Sequence, residues 1–388
     1  MPIRNVRRVR ARIAALAALL SVALSTAPIA IAAAQGATPA PATRTLPDRL
    51  SDAEFWKLVA EISEPDAYFR IVDNFTSNEI EVGQLFTMLR NSRIQGDVYL
   101  GVGPEQNLTY IAAVRPRMAF IVDIRRQAVM QHLMFKAVFE MAKDRADFIS
   151  LLFGIPRPAG LDSATPIPKM WDAYYPVASD TAAQARNYKL VVERLTRTHG
   201  FTFTPDESNK LRAVWDAFQY YGAGITTNGP NNGRGGGGNR TFADLTGYST
   251  DGFGEIKSFL SSEENYRYVK TLHEKNLIVP VSGDFGGTHA IRAIGAYLKD
   301  HGGTLRAFYV SNVEQYLFGD GKQGAFYENL KTIPVDATSA FIRPYSMRRG
   351  GGGASVSLCP IAGFLRAFTA GRVYSNNDAL ACVTVAPQ

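Results

Sequence analysis

Cysteine is almost missing from this chain of 388 residues: only Cys359 and Cys382 occur, with five histidines beside them. No C-x-x-C, H-E-x-x-H or Cys/His cluster exists, which argues against a structural zinc site. No G-x-S-x-G occurs either, so the nucleophile turn of a serine hydrolase is missing. The glycine tract at 228 to 241, NGPNNGRGGGGNRT, has no Lys-Ser/Thr after it and cannot serve as a phosphate loop.

Excess charge is also scarce. The net +7 includes Arg4, Arg7, Arg8, Arg10 and Arg12 and no acid from the first 34 residues; without them it falls to +2. A value near +2 calls for no nucleic acid. Two isolated RGGGG tracts, at 234 and 349, read as linkers.

Long apolar runs are confined to the start. Five arginines precede a run from Ile13, and Ala32 to Ala34 suit a signal peptidase. Residues 1–34 are therefore read as a cleaved secretory signal, by the general or the twin-arginine route (Arg7-Arg8). The protein is expected to be exported, periplasmic or secreted, with no stable span left after removal. The competing reading is an uncleaved anchor. An oxidising compartment lets Cys359 and Cys382 pair, a bridge contributing about 3 kcal/mol in the chain-entropy picture.

The informative stretch is 97–126, DVYLGVGPEQNLTYIAAVRPRMAFIVDIRR. Val98 to Leu100 form a buried β-prone run ending at Gly101-Val102-Gly103, and Met118 to Val122 form a second run ending at Asp123, with a short helix between. Gly101 and Gly103 allow a sharp turn and a close ligand approach, and the following helix start, with Glu105 and Asn107, offers N–H groups to an anion or carboxylate. Asp123, 20 residues after Gly103, stands where a carboxylate can grip ribose hydroxyls. Gln106 replaces the third glycine of G-x-G-x-x-G and Pro104 intervenes, so a dinucleotide pyrophosphate fits poorly. A purely structural α/β turn is the alternative.

A second unit follows from Leu277: strand IVPVS, turn Gly283-Asp284-Phe285-Gly286-Gly287, helix Thr288 to His301, strand TLRAFYVS. Two strand–turn–helix units predict a mostly parallel sheet, with ligands outside the carboxyl ends of its strands. There Ser311 and Asn312 are binding candidates, and Asp284 and His289 are candidates for acid or base. Asp284 can equally serve its own turn.

The segment 73–79, DNFTSNE, reads as a capping loop rather than a site loop, and the Arg125-Arg126 pair as solvated. The expected organisation is a signal at 1–34, a disordered spacer at 35–49, a Rossmann-like domain in two halves (50–154 and 256–345), a helical and Gly-rich insertion at 155–255, and a tail at 346–388 carrying the cysteines.

The strings YIAAVRPRMAFIVDIRRQ, GDFGGTHAIRAIGAYLKDHGG and FYVSNVEQYLF resemble a family of bacterial proteins with a Rossmann-like, class I S-adenosylmethionine methyltransferase-like core. The similarity spans roughly residues 50 to 345. It implies an α/β fold and carries over no family catalytic residues. One functional class is then a small-molecule transferase using S-adenosylmethionine, held by Gly101, Gly103 and Asp123, with Asp284 or His289 as base. Tyr99 stands where that superfamily usually has an acid. The other functional class is a non-catalytic envelope protein that keeps the fold as a ligand-binding or structural module. No pattern specifies an oligomeric state.

Overall fold

The computed structural model describes residues 45–71, 73–79, 81–227, 240–344 and 356–386. The leader, most of the spacer and both RGGGG tracts lie outside these residues. The chain runs α1 (Asp52–Ile62), α2 (Val82–Asn91), β1 (Val98–Gly101), α3 (Gln106–Val114), β2 (Met118–Asp123), α4 (Arg126–Met141), α5 (Arg145–Phe153), α6 (Ile167–Tyr174), α7 (Thr181–Glu193), α8 (Pro205–Tyr221), α9 (Phe242–Gly247), α10 (Glu263–Glu274) and β3 (Ile278–Ser282). It continues α11 (Ala290–Asp300), β4 (Leu305–Tyr309), α12 (Val313–Gly319), α13 (Gln323–Leu330), β5 (Val335–Pro344), β6 (Val356–Pro360), α14 (Ile361–Thr369) and α15 (Asn376–Leu380).

The strands form one six-stranded sheet in the order β3-β2-β1-β4-β5-β6, parallel from β3 to β5, with β6 antiparallel at the edge. The fold is α/β and Rossmann-like, as the two strand–turn–helix units imply. β1 and β2 are apolar up to their last residue and wholly buried, as parallel strands covered by helices must be. β3 tolerates Pro280 because it is an edge strand among the described residues: it pairs with β2, where Pro280 faces Ile121.

Sequence order departs from spatial order at β1. The chain builds β1, β2 and β3 outward on one side, then returns to lay β4 and β5 on the other. The carboxyl ends of β1 and β4 therefore flank a switch point, where the crossover loops part and leave a crevice.

The segment expected as a tail completes the sheet instead. β6 pairs with β5 from Ala340↔Pro360 to Pro344↔Val356, and Cys359 is joined to Cys382. Beside it the buried ion pair of Arg343 and Glu314, bonded at 2.6 and 2.7 Å, links β5 to α12, with the guanidinium packed between the rings of Phe341 and Phe364. Neither strand β6 nor its helix α14 has a long apolar alternation to announce it.

Within 155–255, α8 lies on α4, with Phe218 meeting Phe135 edge-on at 5.6 Å. A partly buried ionic cluster ties this region to the core. His199 places Nδ1 at 2.7 Å from Asp52 and Nε2 at 2.6 Å from Glu140; Lys136 reaches Glu140, Asn276 and the His273 carbonyl. Burial alone would lower the His199 pKa, but the Glu140 and Asp52 carboxylates outweigh it and raise the value. The folded chain thus holds this proton more tightly than the unfolded one. The gain is complete below about pH 6.5, the unperturbed value, and disappears as pH rises through the raised folded value. We predict that His199→Ala costs about 1.5 to 3 kcal/mol at pH 6, and that urea denaturation shows the gap narrowing by pH 9. A gap independent of pH contradicts this account.

Candidate functional site

The turn after β1 is shaped from below by a single amide. Asn107 Nδ2 donates to the carbonyls of Val102, Gly103 and Pro104 at 3.0, 3.1 and 2.8 Å, while its Oδ1 accepts from the Tyr99 hydroxyl at 2.8 Å. Gly101 is required by this staple: a Cβ there would meet Asn107 Oδ1 at 1.9 Å. Gly101 and Asn107 thus hold the turn, and neither lies on the wall of the crevice above it. Gly103 does, with a φ of +80° that L side chains rarely adopt. His132 on α4 supports its carbonyl from behind, Nε2 at 2.9 Å, and burial lowers the His132 pKa.

Above the turn lies a cavity of about 300 Å³. It opens at the carboxyl ends of β1 to β4, the place the topology provides. Of the residues expected from sequence, Gly103, Asp123, Asp284, Ser311 and Asn312 meet on its wall. Gly101, Glu105 and Asn107 do not. His289 is turned away and exposed, Nε2 at 2.7 Å from the Glu61 carbonyl.

Asp123 is buried and already engaged. Oδ1 accepts from the Arg125 backbone N–H and Nε, and Oδ2 from Arg125 Nη2, each at 3.0 Å. A carboxylate has about four lone-pair sites; three are filled, so one remains for a ligand hydroxyl. The arginine pair is not solvated as expected: Arg125 serves Asp123, and Arg126 reaches Glu207 at 2.7 Å. The D-x-R spacing is the only sequence signal for the first of these pairs.

Asp284 is likewise paired, Oδ2 with Lys322 at 2.6 Å and Oδ1 with the Gly286 N–H at 2.9 Å. Glu64, on the segment leaving α1, fills the start of α11: Oε2 accepts from Asp284 N–H at 2.9 Å, and Oε1 from His289 and Ala290 N–H at 3.1 and 2.9 Å. The anion-binding end of that helix therefore holds an internal carboxylate.

Ser311 has a φ of +46°, uncommon for a residue with a side chain and a form of strain that clusters at functional sites. Its hydroxyl and that of Tyr309 donate to Glu79 Oε1 at 3.2 and 2.8 Å. Burial raises the Glu79 pKa, partly offset by those two hydroxyls.

The segment 73–79, expected as a capping loop, instead supplies Asn74, Ser77 and Asn78 to the wall, and Phe69 and Tyr316 pack edge-on at 5.0 Å beside it. Sequence could not place this segment, because its tie to the core is long-range: Ser77 N–H donates to Glu105 Oε1 at 3.1 Å. The other Glu105 oxygen is buried without a partner.

These features define a class, a Rossmann-like α/β protein with a polar and aromatic crevice at its switch point. The profile of a domain of unknown function, DUF7790, matches residues 74–154 and 246–355, which include β1, β2, β3, β4 and the turns that carry the wall. No curated protein matches the chain. Among the described residues no helix is long and apolar enough to cross a membrane, and no group of three or more His, Cys, Asp or Glu could hold a metal ion.

Burial pushes the Glu105 carboxyl up to about 8, the Ser77 N–H only partly offsetting it. A raised folded pKa contributes stability below the unfolded value, near 4.3, that is lost as pH climbs through about 8. Glu105→Gln removes the titration. We predict that it leaves stability within about 1 kcal/mol of wild type at pH 5 and exceeds wild type by about 1 to 3 kcal/mol at pH 9. Chemical denaturation at both values checks this, and a wild type that stays ahead at pH 9 refutes it.

Proposed function

We propose that this is an exported protein that binds a small molecule in the switch-point crevice, and that the ligand is an adenosyl compound of the S-adenosylmethionine type. The observation that carries the reading is the cavity of about 300 Å³ at the carboxyl ends of the strands, bordered by Gly103 and by Ser311 in its left-handed conformation. The antiparallel β6 departs from the all-parallel dinucleotide-binding sheet. The bond between Cys359 and Cys382 is compatible with an oxidising compartment and so supports export.

In the transferase form of this reading, a substrate hydroxyl or amine sits near Asp284, which takes its proton as the group is transferred. A second reading, binding without reaction, is favoured by a specific observation: Asp284 is held by Lys322, and His289 bonds the Glu61 carbonyl away from the cavity.

Thermal shift with S-adenosylmethionine and S-adenosylhomocysteine tests the adenosyl proposal: both are expected to raise the melting temperature, and no shift from either ends it. Asp123→Ala is expected to cost the apo protein about 3 to 5 kcal/mol, because it removes the carboxylate that pairs with the largely buried Arg125 guanidinium. Loss of under 1 kcal/mol contradicts that role.

A further inference from the structure

The charges on the cavity wall leave nothing for a phosphate. Its two cations, Arg125 and Lys322, are each committed to a carboxylate, Asp123 and Asp284. Asp320 adds a third carboxylate, so the wall carries three anions to two cations. The start of α11, which elsewhere would receive an anion, is filled by Glu64. A phosphate here meets net negative charge in a partly desolvated crevice, where like-charge repulsion is strongest.

The neutral polar groups show the opposite condition. Asn74, Asn78 and Asn312 line the cavity, and their side-chain amides make no hydrogen bond among the described residues. Gln106 Oε1 and Thr227 Oγ1, also on the wall, are buried without partners among the described residues. Buried polar atoms are seldom left unsatisfied, and an asparagine amide both donates and accepts from one planar edge. Such amides suit hydroxyl groups, each of which likewise donates and accepts. Beside them, Phe69 offers aromatic surface to the C–H face of a saturated ring, whose weakly positive hydrogens suit the negative ring face, while Tyr316 meets Phe69 edge-on and carries the Arg70 guanidinium over its ring at 4.5 Å.

Resting on the proposal that the crevice binds a small molecule, we propose that its ligand presents a polyhydroxylated ring and carries no phosphate: a free sugar, or the ribose of a nucleoside. The amides of Asn74, Asn78 and Asn312 read the hydroxyls, and Glu64, by filling the start of α11, keeps phosphorylated relatives out.

Isothermal titration of the full-length mature chain with ribose, glucose, adenosine and AMP separates the sources. Adenosine binding with AMP at least tenfold weaker identifies the nucleoside; binding of ribose or glucose without adenosine identifies a sugar, and then the adenosyl assignment above fails while this inference stands. AMP binding as tightly as adenosine overturns the inference and leaves small-molecule binding intact. Binding of none of the four overturns it as well. The double variant Asn74→Ala/Asn78→Ala changes partly exposed loop positions, so the fold should persist, checked by an unchanged melting temperature. It is expected to weaken the bound ligand at least tenfold; unchanged affinity in the folded variant counts against the amides.

Discussion

The turn after β1 depends on the Asn107 side chain. One NH₂ group satisfies three consecutive carbonyls, and its oxygen takes the Tyr99 hydroxyl, in a place too buried for water to substitute. Everything at the crevice follows from that fixed turn. Gly103 is held in its left-handed conformation, its carbonyl is locked from behind by His132, and the next residues are delivered into α3 with Glu105 pointing beneath the 73–79 segment. The segment is thereby hung over the strand ends, and its asparagines reach the cavity.

The second constraint is charge. Three carboxylates near the crevice have internal partners: Asp123 with Arg125, Asp284 with Lys322, and Glu64 with the first amides of α11. Such pairs are costly to break and contribute modestly to net stability. Their consequence here is selective, because they neutralise the positions that a Rossmann-like sheet commonly offers to phosphate or a ribose diol. On the proposed reading, recognition rests on amide–hydroxyl contacts and ring packing rather than on ion pairing.

The parts of this architecture legible in the sequence were those governed by local rules. Buried apolar runs located β1 at 98–101, β2 at 118–123, β3 at 278–282 and β4 near 305–309, and the glycine turns behind β1 and β3 marked the end of the sheet where the cavity lies. The stretch 155–255, expected to be helical and Gly-rich, holds α6 to α9. Illegible were features set by distant partners. α6 is short and hidden among prolines, and β6 is defined by pairing with β5. The roles of Asp123 and Asn74 likewise depend on Arg125 and on a loop tie to Glu105, neither of which leaves a periodic trace. Gly101 shows how a correct residue can have a different reason: space for Asn107, rather than for a ligand.

The central claim is that ligand binds between the ends of β1 and β4. Hydrogen–deuterium exchange with and without the ligand that gives the largest thermal shift tests it most directly. The account predicts slowed exchange at 102–107, at 310–313 and in the 68–78 segment, with little change in the helices from 155 to 225. Protection confined to that helical region, or unchanged exchange at both strand ends under saturating ligand, would contradict it.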